Sequence, residues 1–201
     1  IDDCSQDNTR ELIDQIIKLY PDKIIRKVFH EQNNGRGASV AEGIRKAHGQ
    51  VAGFIDIDLE THARYIPSCT AAIKAGYDVS IAKRFHHIQF HSMYRYILSM
   101  GYRLLVKWSF GFPIMDTETG FKFFNRQKIL PVLETVENQH WFWDTEIMVR
   151  SYLNGLKIIE VPSLFIRRLN SYSTVNPISD SIYYMIRLYR FKKRIRKNNQ
   201  H

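Results

Sequence analysis

The chain has 201 residues, which is enough for one domain with one sizeable core. Its hydrophobic content of 44% and charged content of 24% are ordinary for a globular protein. The two cysteines, Cys4 and Cys69, lack zinc-type spacing, which argues against a disulfide scaffold or a cysteine metal site and fits a reducing compartment. We expect both to be small buried residues instead.

The formal net charge of +9 predicts an anionic partner, either a nucleic acid, a phosphorylated ligand or an acidic membrane. Much of the excess lies near the end of the chain, in Arg187, Arg190, Lys192, Lys193, Arg194, Arg196 and Lys197. This segment is either a solvated tail or a surface that docks on anionic lipid. No apolar run reaches about 18 residues, so no transmembrane helix is expected, and no signal peptide is visible.

Helix and strand signals alternate through the first half of the chain. The start, Ile1-Asp2-Asp3, is typical of the end of a strand, so we expect the first strand to be missing and the domain to be incomplete at its N-terminus. Asp7 is a candidate cap for a helix that reaches Tyr20. Further helices are predicted over 38–48 and 64–75, and strands over 24–29, 51–57 and 78–82. This alternation predicts a doubly wound α/β fold with a mostly parallel sheet flanked by helices.

The second half begins with an amphipathic helix over 93–108. Its apolar face carries Met93, Ile97, Leu98, Gly101, Leu104, Leu105 and Trp108. A strand over 119–124, a helix over 144–153, a strand over 157–161 and a basic helix over 179–197 follow. Since no repeat or linker is visible, we expect residues 1–201 to form a single domain.

Three acids follow the predicted buried strand 51–57 at alternate positions: Asp56, Asp58 and Glu60. Side chains two apart on a strand share a face, so these carboxylates are expected to point together into the crevice beyond the sheet. Their oxygens suit Mg²⁺ or Mn²⁺, which leave coordination positions for diphosphate oxygens. The alternative is a solvated strand end with an acidic loop.

Two further segments are candidates for nucleotide binding. Gly35 and Arg36 stand just before a predicted helix, where backbone N–H groups and the guanidinium attract anions; a plain turn is the alternative. Asp3 follows the strand-like start of the chain and is a candidate acceptor of hydrogen bonds from a base or ribose.

Carboxylates beside glycine and aromatic residues mark two more segments, 116–122 and 141–146. Asp116 and Glu146 are candidates for contacts with sugar hydroxyls, and Asp116 is also a candidate base. For the Trp and Phe residues at 141–143, core packing is the alternative, and Asp144 is also in place to start a helix.

Taken in chain order, these segments resemble the family 2 glycosyltransferases of GT-A fold, and in particular the dolichol-phosphate mannosyltransferase and polyprenyl-phosphate glycosyltransferase branch. The resemblance covers nearly the whole chain. It is carried by segments 2–7, 34–37, 56–59, 82–84, 116–122 and 142–146. The Pro-x-Tyr-Asn-Glu element with which the family opens is absent, and Glu60 stands where the family often has glutamine.

The resemblance implies a GDP- or UDP-sugar donor bound over the Asp56/Asp58 metal, with Asp3 near the base. It also implies that Arg84 holds phosphate, that Asp116 lies by the reacting centre, and that a polyprenyl phosphate acceptor approaches from the membrane. The helix over 93–108 would lie on the bilayer, at the cytoplasmic face. Such mannosyltransferases tend to carry an arginine where this chain has Met100, so Arg95 or Arg103 is expected to substitute.

The expected reaction is one inverting displacement, in which Asp58 holds the metal and Arg84 and Arg36 add positive charge. A phosphate acceptor needs little help from a base. If the acceptor is instead a glycan or another sugar hydroxyl, Asp116 is the first candidate base. A non-catalytic module that binds membranes or nucleic acid is the alternative of another class, but Asp56, Asp58 and Asp116 disfavour nucleic acid in the absence of a metal.

Overall fold

The structure, a computed structural model, describes residues 1–86, 93–113, 115–166 and 177–198. The helices are α1 (Thr9–Leu19), α2 (Arg36–Lys46), α3 (Ile66–Lys74), α4 (Met93–Phe110), α5 (Arg126–Leu133), α6 (Trp143–Leu153) and α7 (Pro177–Asn198). The strands are β1 (Val51–Ile55), β2 (Val79–His86), β3 (Phe121–Asn125) and β4 (Ile158–Phe165). A short 3₁₀ turn, Ala63–Tyr65, precedes α3.

The four strands form one mixed sheet in the order β1-β3-β2-β4. β3 is antiparallel to both of its neighbours, whereas β2 and β4 are parallel. Consequently β1, β2 and β4 point the same way, as a mostly parallel sheet requires, and β3 alone among these four runs against them. Ile55 at the end of β1 pairs with Phe121 at the start of β3. The acids that follow β1 therefore meet the segment that precedes β3.

The sheet is covered on both faces. Phe124 and Ile81 face a large core that includes Ile147 and Met148 of α6. Phe121 and Phe123, on the other face of β3, pack into a smaller cluster with Cys69. This change of side at each residue is the period of a strand. Each fully buried large apolar side chain contributes roughly 1.5–3 kcal/mol, so these layers hold the sheet edge in place.

Most element predictions are confirmed, with shifted ends, but three need correction. The predicted strand 24–29 is not a strand; one isolated parallel bridge joins Asp2 to Phe29. The strand predicted over 157–161 continues as β4 through Pro162 to Phe165, because β4 is the outer strand of the four and a proline without an N–H is tolerated on an edge. Helix α5 was not predicted, since Pro131 interrupts its helical pattern.

Helices α4 and α7 pack against each other through aromatic contacts. Tyr102 meets Tyr184 edge-on with ring centroids 5.3 Å apart, and Phe110 lies 5.0 Å from Phe191. Four residues of the predicted apolar face of α4 are exposed, namely Ile97, Leu98, Leu105 and Trp108, the last of them by 76%. Within the described parts of the chain, we find no helix with the length and apolar character needed to span a bilayer.

Candidate active site

A polar cavity opens where β1 and β2 end and β3 begins. Its lining residues are Asp56, Asp58, Glu60, Thr61, Arg84, Glu118, Thr119, Gly120 and Phe165. The backbone N–H of Asp56 donates to the carbonyl of Gly120 at 2.8 Å, which extends the β1–β3 ladder by one step. Ile166 donates to the carbonyl of Glu60 at 2.9 Å and ties the acidic loop to the end of β4. The sheet thus fixes both walls of the cavity.

The three predicted metal ligands, Asp56, Asp58 and Glu60, all line this cavity. Asp56 Oδ1 accepts a hydrogen bond from Arg36 Nη2 at 2.7 Å, and Asp58 Oδ1 accepts one from the backbone N–H of Glu60 at 3.0 Å. In the described residues, no three acidic, histidine or cysteine side chains converge closely enough to form a metal cage. The acids therefore share one cavity without forming a preassembled cage.

The loop before α2 is held by Asp3. Its two carboxylate oxygens accept hydrogen bonds from the backbone N–H groups of Asn34 and Gly35, both at 2.8 Å, and His30 Nδ1 lies 2.8 Å from Oδ1. Burial opposes ionisation of Asp3, but these hydrogen bonds outweigh it and hold its pKa below the ordinary value. The structure thus shows Asp3 shaping the predicted nucleotide loop, and its contact with a base or ribose stays a prediction.

Arg36 was predicted to attract the donor's phosphates. In the structure, each of its terminal nitrogens donates to a carboxylate. Nη2 donates to Asp56 and Nη1 to Asp144. Its guanidinium also lies 5.3 Å from the centroid of the Phe54 ring and 5.2 Å from that of Trp141. In this conformation Arg36 is an internal partner of the acidic loop.

Asp116, the predicted base, is buried between two arginines. Arg84 donates to it through Nε and through Nη2, the latter at 2.8 Å, and Arg103 Nη2 lies 3.2 Å from Oδ2. Burial opposes its ionisation, but the two arginines prevail and keep the pKa of Asp116 below its ordinary value. A carboxylate held ionised in this way is a weak proton acceptor.

Glu118 is a cavity residue that the sequence analysis did not single out. Burial, and secondly repulsion by Asp116, raise its pKa to about 7. No hydrogen bond or ion pair joins its carboxylate to another residue of the described ranges. Its position two residues after Asp116, in a segment already marked by carboxylates and glycine, was the signal available in the sequence.

Of the predicted acceptor contacts, the one with Glu146 finds no support in the geometry, and the one with Arg95 stays a prediction. Glu146 is fully buried, and its carboxylate accepts hydrogen bonds from the backbone of Glu137 and Asn138 and pairs with Arg150. This conformation leaves no surface of Glu146 for an acceptor to touch. The side chain of Arg95 lies outside the described residues.

For the aromatic residues at 141–143, the sequence left two interpretations, contacts in a sugar site and packing in the core. Phe142 and Trp143 are buried in the core, as the packing alternative required. Trp141 is 60% exposed and covers one face of Arg36. Of the three, Trp141 alone is exposed, and it lies against the arginine that pairs with Asp56.

Comparisons with known proteins agree with this architecture. The chain is 29% identical over 164 residues to glycosyltransferase AglD of Haloferax volcanii. This alignment covers 80% of the chain and 26% of AglD. It is 28% and 29% identical to the dolichyl-phosphate beta-glucosyltransferases of Dictyostelium discoideum and Saccharomyces cerevisiae, over 80% and 81% of the chain. The chain spans about half the length of these two relatives, 52% and 54%.

Two solved structures share the fold. Glucosyl-3-phosphoglycerate synthase from Mycobacterium tuberculosis in complex with Mn²⁺ and UDP-glucose superimposes with a TM-score of 0.62 at 13% identity, over 93% of this chain and 66% of that one. Its complex with UDP gives a TM-score of 0.58 at 14% identity, over 94% of this chain and 66% of that one. The likeness shows that the fold is GT-A. Since the model of Glycosyl transferase family 2 matches residues 1–144, the chain belongs to that family.

Proposed function

We propose that this chain is the catalytic domain of an inverting glycosyltransferase that moves a sugar from a nucleotide-diphosphate-sugar to a polyprenyl phosphate. The observation that carries the proposal is the cavity shared by Asp56, Asp58 and Arg84 at the carboxyl ends of the strands, which is where α/β folds bind ligands. The dolichyl-phosphate glucosyltransferases among the relatives favour a polyprenyl phosphate acceptor.

Mg²⁺ or Mn²⁺ fits the donor set of this cavity. Asp56, Asp58 and Glu60 offer hard carboxylate oxygens to one space, and Asp58 and Glu60 lie on a loop outside the sheet. These three residues would hold the cation. When bound, it would supply Lewis-acid stabilisation to the charge of the departing nucleoside diphosphate. The M. tuberculosis neighbour, solved with Mn²⁺ and UDP-glucose, supports a metal-dependent use of the fold.

Arg84 supplies fixed positive charge inside the cavity. It lies between Asp116 and the ring of Phe165, 5.2 Å from that ring's centroid, and Arg103 shares the Asp116 carboxylate. Two arginines share the one carboxylate of Asp116, and their guanidinium groups suit an anionic acceptor phosphate or the donor's diphosphate. Asp116 accordingly acts as the counter-ion that orients Arg84 and Arg103.

A hydroxyl acceptor is the second candidate, and Glu118 favours it. A carboxylate with a pKa near 7 can take a proton at neutral pH, whereas Asp116 with its lowered pKa is poorly suited to do so. A phosphate acceptor is already an anion and needs no such base. The activity of a Glu118 variant therefore distinguishes a hydroxyl acceptor, which needs the base, from a phosphate acceptor, which does not.

Docking at the cytoplasmic face of a membrane is part of the proposal. Four exposed apolar side chains lie on α4 and four on α7: Ile97, Leu98, Leu105, Trp108, Ile182, Met185, Ile186 and Tyr189. On α7 they recur at helical spacing and form one stripe, and Lys192, Lys193 and Arg196 continue the same face toward the end of the helix. An apolar stripe beside basic residues suits an interfacial helix on anionic lipid.

The test is transfer of labelled sugar from UDP-glucose or GDP-mannose with Mn²⁺, using undecaprenyl or dolichyl phosphate in vesicles against a free oligosaccharide. We expect a lipid-linked product, and we expect Glu118→Gln to retain most of the activity. A product formed only on the oligosaccharide, and lost in Glu118→Gln, would replace this function by its hydroxyl-acceptor alternative. No transfer to either acceptor from either donor would refute both.

A further inference from the structure

The carboxylate of Asp56 is fixed from two sides. Oδ1 accepts a hydrogen bond from Arg36 Nη2 at 2.7 Å. Oδ2 lies against Gly120, so closely that a Cβ built on that glycine would be 1.6 Å away. The backbone N–H of Asp56 donates to the Gly120 carbonyl at 2.8 Å. A half-exposed acid at the end of a strand would otherwise be free to change rotamer.

Arg36 in turn is held by groups that have no part in the cavity lining. Its other terminal nitrogen donates to Asp144 in the first turn of α6, and the rings of Phe54 and Trp141 lie beside its guanidinium. The Arg36 side chain is only 17% exposed. Each terminal nitrogen already donates one N–H to a carboxylate, so a donor phosphate would have to compete with Asp56 and Asp144 for the orientation of this guanidinium.

Lys122 is the last residue of a network of ion pairs that runs from Asp56 through Arg36 and Asp144. It is fully buried, and its Nζ lies 2.6 Å from Asp144 Oδ1 and also donates to the carbonyl of Thr119. Burial lowers the pKa of Lys122, and Asp144 opposes that effect. Buried ion pairs of this kind add little net stability compared with apolar side chains of similar volume, because removing both charges from water is costly. A role in positioning accounts for the network better than stability does.

We infer that Arg36, held by Asp144, which Lys122 holds in turn, is a positioning residue that sets the carboxylate of Asp56 for the donor's divalent cation, and is not an anchor for the donor's diphosphate. The inference rests on the proposed function, because it assigns Asp56 to that cation. One oxygen of Asp56 is bound to Arg36, and Oδ2 is left on the Gly120 side. The network is neutral as a whole, since Lys122 and Arg36 balance Asp144 and Asp56.

A double-mutant cycle separates positioning from direct binding. Mn²⁺ affinity is measured by EPR, and the affinity for UDP and for GDP by calorimetry with Mn²⁺ or with EDTA. The variants are Arg36→Gln, Asp56→Asn and the double variant. We expect Arg36→Gln to weaken Mn²⁺ binding and Mn²⁺-dependent nucleotide binding about tenfold, and to add less than about twofold in the Asp56→Asn background. In EDTA it should leave nucleotide affinity unchanged.

Two further variants guard against simple loss of fold. Arg36→Lys, whose single ammonium lacks the planar fork, should restore melting temperature better than Mn²⁺ affinity. Lys122→Met should weaken Mn²⁺ binding through Asp144. Because removing one partner of this buried pair also lowers stability, Mn²⁺ affinity is measured at a temperature where the melting curve shows the variant folded. Wild-type Mn²⁺ affinity in both Lys122→Met and Arg36→Gln would overturn the inference.

The opposite result is that Arg36→Gln lowers nucleotide affinity in EDTA, or in the Asp56→Asn background, by the same factor as it does with Mn²⁺ in the otherwise unmodified chain. That result would identify Arg36 as a direct phosphate anchor and would also overturn the inference. Failure of the proposed function gives a different result. In that case the unmodified chain binds Mn²⁺ but neither nucleotide. The coupling between Arg36 and Asp56 is then calculated from the Mn²⁺ affinities alone. Absence of Mn²⁺ binding in the unmodified chain would overturn both.

Discussion

The carboxylate of Asp56 fills the space that a side chain at Gly120 would need. A Cβ built at residue 120 would lie 1.6 Å from Asp56 Oδ2 and 2.5 Å from Oδ1. Gly120 has no positive φ, so it is required here by this close approach and not by its backbone conformation. The start of β3 is therefore shaped around one acid of the cavity.

Gly120→Ala should displace the Asp56 carboxylate and reduce Mn²⁺ affinity at least tenfold, because neither backbone can move without breaking the β1–β3 ladder. EPR titration measures this directly. Gly101→Ala is the matched control, since a Cβ there meets nothing within 4 Å and alanine favours a helix interior over glycine. Unchanged Mn²⁺ affinity in Gly120→Ala would show that the placement of Asp56 is irrelevant to the cation.

Glu118 should make stability depend on pH. Its pKa is raised from 4.5 to about 7, so between these values the folded chain holds a proton that the unfolded chain has released. The free energy of unfolding therefore falls as pH rises through this window, and the loss is complete above about pH 7. Glu118→Gln, measured in EDTA, should remove this component and gain at most about 3 kcal/mol at pH 8.

Urea denaturation of both proteins at pH 5 and pH 8 checks the Glu118 prediction. The difference between the two proteins should grow from pH 5 to pH 8. Parallel pH profiles would contradict the placement of an unpaired carboxylate in this cavity.

Asp116→Asn should be strongly destabilising, because it leaves Arg84 and Arg103 without their shared counter-ion in a buried site. Breaking such a buried pair costs about 3–5 kcal/mol. Asp14→Asn is the control: its pair with Lys27 is exposed, with side chains 42% and 43% accessible, and should cost less than about 1 kcal/mol. Urea denaturation at pH 7 measures both, and equal effects would show that Asp116 is not a structural counter-ion.

Trp108→Ser should weaken binding to anionic vesicles about tenfold or more. Trp108 is 76% exposed on α4, and burying a large apolar side chain in a membrane contributes about 1.5–3 kcal/mol. Ile24→Ser, which removes a 91% exposed apolar side chain outside α4 and α7, should have no effect. Vesicle co-sedimentation tests the pair, and equal binding by Trp108→Ser and the unmodified chain would remove α4 from the proposed docking surface.

Local pattern was enough to predict much of the site. The apolar run of β1 followed by alternating acids located Asp56, Asp58 and Glu60 at the cavity, because strand period and chain direction are encoded within a few residues. The exposed apolar face of α4 was found in the same way, from helical spacing.

Long-range pairing was not accessible to the same reasoning. Asp144 is 88 residues from Asp56 in sequence, and Arg36 joins the two only in the folded chain. The buried position of Glu146, the ion pairs of Asp116 and the raised pKa of Glu118 likewise depend on which elements become neighbours. The reversed direction of β3, which brings Gly120 to the acidic loop, is a property of the whole sheet.

The central claim is that the acids after β1 bind a divalent cation that grips the donor's diphosphate. Thermal unfolding of the chain with UDP-glucose or GDP-mannose, with and without Mn²⁺, tests it directly, with Asp58→Ala alongside. We predict an increase in melting temperature that requires both Mn²⁺ and a nucleotide-sugar and disappears in Asp58→Ala. The same increase without Mn²⁺, or in Asp58→Ala, would contradict the claim.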